Sequence, residues 1–250
     1  MTLRQRAPAP LRLIYRWLRL RREAARLMRA SAGVGEPSRW LDALERFPSF
    51  LAIQKRGEIT GLLETMRRAR PATVCEIGSA LGGTSFLLAR AAAPGATVVY
   101  VDQAFDAARK AALRRFAGPG QTVRCLQGSS TDPRIRAALQ DAFGGRPLDF
   151  LFIDGDHHYE GVSADFAIYS PLVRRGGLIA FHDIVLDHGQ RFGKPTGNWA
   201  GGVPRFWEEL KGRYPGGATE FIEDPGQDGY GIGLLDWPES STTSNPASRQ

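Results

Sequence analysis

Two carboxylates and two imidazoles fall within thirty residues of one another: Asp154 and His157, then His182 and Asp183. Carboxylate oxygens are hard ligands suited to a cation such as Mg²⁺. An imidazole titrates near neutral pH, so His157 can either take a proton from a reacting group or hydrogen-bond a substrate. The chain's four histidines, at 157, 158, 182 and 188, all lie in or just beyond this stretch, and nothing elsewhere suggests metal or proton chemistry. His158 reads as structural and His188 as a solvated loop residue.

For this chemistry to work, the four side chains must meet. Phe150–Ile153 is an apolar run of the kind that forms a buried parallel strand, and it ends in Asp154. A helix-compatible segment follows, Gly176-Gly177 breaks it, and a second apolar run, Leu178–Phe181, ends in His182-Asp183. Two strands joined by a helix make a βαβ unit, whose right-handed crossover puts both carboxyl ends on one sheet edge. That edge is where open α/β sheets bind ligands.

An earlier unit points to the same edge. A strand from Thr73 leads into a glycine turn, and a helix runs on through Arg90. Gly78 permits the tight turn, while Gly82 and Gly83 let backbone or ligand approach the helix start. Val98–Val101 is a second strand, ending in Asp102, where a carboxylate can accept both hydroxyls of a ribose. Strand, glycine turn, helix, strand and acid together form a nucleoside-binding signature. Further strands are expected at 122–126, 219–223 and 230–237, and helices at 39–47, 57–69, 107–116, 133–143 and 204–214. The glycine-rich stretch 184–203, which carries Trp199, has no periodicity and reads as a lid or binding loop.

The formal charge of +7 invites a nucleic-acid reading, and its distribution argues against one. Residues 1–30 hold nine arginines and one acid, a net +8, so the remainder of the chain is nearly neutral. Leu11, Ile14, Tyr15, Leu18, Ala25 and Met28 follow helical spacing among these arginines. This describes a basic amphipathic helix lying on the domain, on a partner subunit, or on an anionic membrane surface through residues 11–29. Cys75 and Cys125 sit in apolar runs without metal-ligand spacing and read as packed core thiols. A cytoplasmic protein is expected, with peripheral membrane contact and homo-oligomerisation left open. The expected division is a basic N-terminal segment and linker at 1–35, one α/β domain at 36–238, and a disordered polar tail at 239–250.

Glu76-Ile-Gly78-Ser79-x-x-Gly82, the acid Asp102, Gly128-Ser129-Ser130 and the strand end at Asp154 resemble the successive motifs of class I S-adenosylmethionine-dependent methyltransferases. The Tyr230–Trp237 strand fits their closing hairpin. The resemblance covers roughly residues 55–237. It implies a Rossmann-like, doubly wound, mostly parallel seven-stranded sheet with an antiparallel last strand. It also implies S-adenosylmethionine as cofactor, with Glu76, Gly78, Ser79, Gly82, Asp102, Gly128, Ser129 and Asp154 as its contacts. The stretch DGDHHYEGVSADFAIYSPLVRRGGLIAFHD further resembles the branch that holds cephalosporin hydroxylase-like, rhamnosyl and macrolide sugar O-methyltransferases. Several of these hold a metal between an acid at the end of strand four and an acidic pair at the end of strand five. The implied ligands here are Asp154, His182 and Asp183, with Mg²⁺ the expected ion, and His182 departs from the usual acid. His157 stands where macrolide sugar enzymes carry a histidine base and catechol enzymes a lysine, which implies His157 and Asp154 as the catalytic pair.

The expected function is metal-assisted methyl transfer to a hydroxyl of a sugar or related natural product, with catechol or phenolic acceptors as the alternative. At the level of single residues, Asp154 could instead orient the cofactor's amine and Asp183 could cap the next segment. Tyr159 and Trp199 could line the acceptor site or simply pack. A nucleotide-dependent oxidoreductase fits less well, because the turn is Gly78-x-x-x-Gly82 rather than Gly-x-Gly-x-x-Gly. A non-catalytic binding module is disfavoured by the intact Asp154, His157 and Asp183.

Overall fold

The computed structural model describes residues 9–238; the tail expected at 239–250 lies outside the described residues. Seven strands form one sheet in the order β3-β2-β1-β4-β5-β7-β6. They are β1 (Thr73–Ile77), β2 (Thr97–Asp102), β3 (Thr122–Gln127), β4 (Leu148–Ile153), β5 (Val173–His182), β6 (Ala218–Phe221) and β7 (Ile232–Asp236). All pairings through β5 are parallel, and β7 runs antiparallel to both β5 and β6. The expected doubly wound, mostly parallel α/β architecture is therefore the one observed.

The central strands are buried on both faces, which is why β1, β2 and β4 read as near-continuous apolar runs. One face is covered by α1 (Ala9–Ala30), α2 (Pro37–Glu45), α3 (Arg56–Ala69), α4 (Gly83–Ala91) and α5 (Ala107–Leu113). The other carries α6 (Pro133–Ala142), α7 (Tyr159–Tyr169) and α9 (Val203–Arg213). Register then sets the site. Ile77 pairs with Val101 and with Ile153, and Ile153 pairs with Phe181, so four strands end at one level. The sheet order reverses between β1 and β4, and ligand crevices open at such a reversal.

Three local expectations change. The stripe of α1 that reaches the core is Leu20, Ala24 and Leu27, whereas Leu11, Ile14, Tyr15 and Leu18 of the expected face are exposed. The C-terminal half of the helix docks along α5, and Arg16 pairs with Asp106 at the α5 N-terminus. Gly176-Gly177 does not end a segment. β5 already begins at Val173 and absorbs the pair as an irregularity, with its register on β4 shifting between Leu148 and Phe150. The 184–203 stretch contains a short helix, α8 (His188–Phe192), started by a capping box in which Asp187 and Gln190 satisfy one another's backbone amides. No helix among the described residues is long and apolar enough to cross a membrane.

Candidate active site

The strand ends open into one cavity of about 740 Å³. Gly78, Ser79, Asp102, Gly128 and Ser129 line one part of its wall; Asp154, His157, His182 and Asp183 line another.

On the glycine-turn side the acids are held by the chain's own amides and hydroxyls. Gly78 has φ +83, and a Cβ there would overlap the Asp154 carbonyl, so the turn passes β4 at a distance only glycine allows. Asp102 Oδ2 accepts the backbone N–H groups of Ser79 and Ala80, both at 2.9 Å, and Oδ1 accepts that of Ala104 at 2.7 Å. Two of the expected cofactor contacts lie elsewhere. Glu76 is fully buried beneath the turn and is absent from the cavity wall. Its Oε2 accepts the hydroxyls of Ser79 (2.6 Å) and Ser85 (2.5 Å), while Oε1 is buried without a partner. Burial raises its carboxyl to about 8, against the pull of those two hydroxyls. Gly82 is the left-handed N-cap of α4, where a Cβ would overlap Leu113 of α5, so its glycine serves helix packing rather than the cavity. Gly83 likewise makes room for the Leu51–Ala52 backbone, which crosses the start of α4, and its N–H donates to the Leu51 carbonyl at 3.1 Å.

On the β4–β5 side the acids are partnered by titratable groups and amides. His182 Nδ1 lies 3.2 Å from Asp154 Oδ1 and 3.1 Å from Asp183 Oδ2. Its Nε2 is buried with no hydrogen-bond partner. His157 Nδ1 is 3.0 Å from the Trp199 carbonyl, which can only accept, so Nδ1 carries the hydrogen. The other nitrogen, Nε2, faces Asp154 Oδ1 at 3.7 Å. The bond to Asp154, the Trp199 carbonyl and the charge of Asp183 raise His157 to about 9 despite its burial. Burial disfavours the charge on His182 more strongly, and the two carboxylates still carry it well above its ordinary value. Burial acts to raise Asp154, but the charge on His182 and the bonds to both imidazoles hold it below the usual carboxylate range.

Backbone strain gathers here too. Ala80, Asp183 and Tyr230 have φ of 42°, 61° and 61°. The first two line the cavity, and Tyr230 packs edge-on against His182. Such conformations cost on the order of 1–3 kcal/mol each and persist where their surroundings over-determine them. Asp183 is fixed by Asn198, whose Nδ2 donates to Oδ1 at 2.8 Å.

Asp154 Oδ1, a His182 nitrogen and Asp183 Oδ2 provide three donor atoms within a few ångströms of one another, and a cluster of these three residues fits a divalent cation with mixed oxygen and nitrogen ligands. Sequence reading missed Gln54 and Asn198. Gln54, in the α2–α3 connection, donates to Asp154 Oδ2 at 2.9 Å and accepts the Thr84 hydroxyl at 2.6 Å. A lone glutamine in an irregular segment gives no pattern to find. Asn198 sits in the long loop already marked as a binding loop, beside Trp199, which stacks on His157 with a 6.0 Å centroid separation. Tyr159 turns away from the cavity and donates its hydroxyl to Glu209 on α9.

Residues 75–184 match a family model described as a methyltransferase domain. A protein of Acanthamoeba polyphaga mimivirus is 39% identical over 69 residues, covering 28% of this chain and 30% of that protein. The chain spans less than a third of the length of the curated relatives it matches. The O-methyltransferase TomG from Streptomyces achromogenes, solved with S-adenosylmethionine, superposes with TM-score 0.55 at 20% identity, covering 95% of this chain and all of that one. MycE, from the mycinamycin biosynthetic pathway and solved with Mg and S-adenosylhomocysteine, gives TM-score 0.52 at 18% identity over 83% of this chain and 56% of that one. The seven-stranded sheet with its reversal at β1 and β4 is thus the fold of these O-methyltransferase structures, and residues 75–184 within it are similar to a methyltransferase domain.

Proposed function

We propose that this protein transfers the S-methyl group of S-adenosylmethionine to a hydroxyl of a sugar or related natural product, assisted by a divalent cation. The observation that carries the reading is the single cavity shared by the glycine turn and the Asp154–His157–His182–Asp183 cluster. A methyl donor held by one group and a hydroxyl held by the other would face each other without leaving the site. TomG acts in tomaymycin synthesis and MycE in mycinamycin biosynthesis, which supports a natural-product acceptor.

Gly78 and Ser79 would hold the amino-acid end of the donor, Asp102 its ribose, and Gly128 and Ser129 the neighbouring nucleoside surface. Asp154, His182 and Asp183 would hold the cation, which when bound lowers the pKa of an acceptor hydroxyl and fixes its position. His157, neutral once Asp154 and Asp183 turn their charge to the cation, would take the hydroxyl proton at Nε2 as the new O–CH₃ bond forms and the S–CH₃ bond breaks, with S-adenosylhomocysteine as the leaving group. The imidazole Nδ1–H stays on the Trp199 carbonyl throughout and keeps the ring in register. Leu51, Ile53 and Trp199 add an exposed apolar rim at the mouth, suited to the hydrophobic body of an acceptor.

The test is a screen of hydroxylated acceptors with methyl-labelled S-adenosylmethionine, run with and without a chelator. Labelled ether product that disappears in excess chelator is the expected result. Full activity after exhaustive metal removal would exclude the cation, and absence of any methylated product with the protein saturated by the donor would exclude the transferase reading.

A further inference from the structure

Helix α1 contributes nothing to the cavity wall, yet it and the residues before it hold nine arginines and one acid. Its two faces have separate fates. Leu20, Ala24 and Leu27 form a stripe at helical spacing and are buried against the domain. The helix crosses the domain from the strand-end edge, where Arg16 pairs with Asp106, to the opposite edge, where Arg90 Nη2 donates to the Ser31 carbonyl at 2.8 Å. Leu13 continues the buried stripe toward the start of the helix and is 64% exposed, so the docking ends before the helix does.

The face turned away from the domain carries a second stripe. Leu11, Ile14 and Leu18 are followed, at the same three- and four-residue spacing, by Arg22, Arg26 and Arg29, and all six are exposed. Large apolar side chains grouped on one exposed face mark a place where another surface docks. Arg16 has Asp106 and Arg19 has Glu23, whereas Arg12, Arg22, Arg26 and Arg29 meet no acid among the described residues. The occupant of this face must therefore cover apolar side chains and neutralise arginines along one line. A nucleic-acid backbone would meet the arginines and leave Leu11, Ile14 and Leu18 uncovered. A second copy would bring the same net +8 segment and a nearly neutral remainder, so it supplies no net opposite charge. An anionic bilayer supplies both halves, an acyl boundary for the apolar side chains and phosphates for the arginines. We infer that the outward face of α1 lies on an anionic lipid surface, with Leu11, Ile14 and Leu18 at the boundary between headgroups and acyl chains and Arg22, Arg26 and Arg29 on lipid phosphates. The helix lies along the surface, since it is not long and apolar enough to cross it. This docking is independent of what the cavity binds.

The test is co-sedimentation of the full chain with vesicles of phosphatidylcholine alone and of phosphatidylcholine mixed with phosphatidylglycerol, at low and at high salt. Binding is expected only to the anionic vesicles, and added salt should weaken it by screening the exposed charges. The double variant Arg22→Glu/Arg26→Glu should lower vesicle affinity by about 10-fold or more. The triple variant Leu11→Ser/Ile14→Ser/Leu18→Ser should lower it by about as much with the net charge unchanged. Both variants should keep the melting temperature of the wild type, because the substituted side chains are exposed. Should either fail to fold, the single substitutions Arg26→Glu and Ile14→Ser read the same losses on a smaller scale. Equal binding to both kinds of vesicle, binding to neither, or binding that no variant weakens overturns the inference. A wild type that dimerises by light scattering, with the dimer lost in the triple variant and no vesicle binding, overturns it as well and assigns the face to a second copy.

Discussion

The two parts of the cavity handle buried acids in opposite ways. Around the glycine turn, Asp102 is held by three backbone N–H groups and Glu76 by two serine hydroxyls on its Oε2, none of which changes charge near neutral pH. At the β4–β5 end, Asp154 and Asp183 lean on His157 and His182 and are steadied by Gln54 and Asn198. The first arrangement is a fixed cradle, set by the turn itself. The second is held by protons that a cation can displace, because ligation requires carboxylates and a neutral imidazole. Shape is therefore built in on one side and charge remains exchangeable on the other.

Removing the proton acceptor should produce the largest effect. His157→Ala is expected to lower methyl transfer by about 10²- to 10⁴-fold while leaving S-adenosylhomocysteine affinity unchanged, since His157 stands on the exchangeable side. The residual rate should rise with pH as solvent takes over the proton, read from a pH–rate profile. A loss of cofactor affinity comparable to the loss of rate would show that the two parts are not separable.

A smaller and purely structural effect belongs to the cradle. Glu76 holds its proton in the folded state up to about 8, against 4.5 for the free side chain. The folded state thus binds more protons than the unfolded one between those values, and stability falls as pH rises through that window. Glu76→Gln mimics the protonated acid, so urea unfolding between pH 5 and pH 8 should show a shallower decline than the wild type. The contribution of His157, also lost with rising pH, is common to both proteins and cancels in the difference. A steeper decline in the variant would mean that Glu76 is ionised when folded.

The strand ends were legible because parallel strands buried on both faces must be apolar runs, and the acids that end them stand out as breaks. Asp154, His182 and Asp183 could be placed on one edge from the crossover rule alone, and the register puts them there. Glu76 and Gln54 were not legible for the same physical reason: burial and side-chain partnering are tertiary. An acid at the end of a first strand reads as a ligand contact, and the hydroxyls of Ser79 and Ser85 that also bond it are visible only in the fold. Spacing alone does not single out the core-facing stripe of α1, because apolar residues occupy more than one face of that helix; docking, chiefly against α5, selects Leu20, Ala24 and Leu27, with Met28 of the expected face packed beside them. Helix α8 is too short for periodicity, although its Asp187-x-x-Gln190 capping box was present to be read.

Mn²⁺ binding followed by electron paramagnetic resonance, with S-adenosylhomocysteine affinity measured on the same samples, tests the division between the two parts most directly. Metal-stripped wild type should bind one Mn²⁺ per chain. Asp183→Ala should abolish that binding, and Asn198→Ala, which removes only the amide steadying Asp183, should weaken it by about 10- to 100-fold. Both variants should keep the cofactor affinity of the wild type. Undiminished Mn²⁺ binding in Asp183→Ala, or loss of cofactor affinity in step with the metal, would contradict the account.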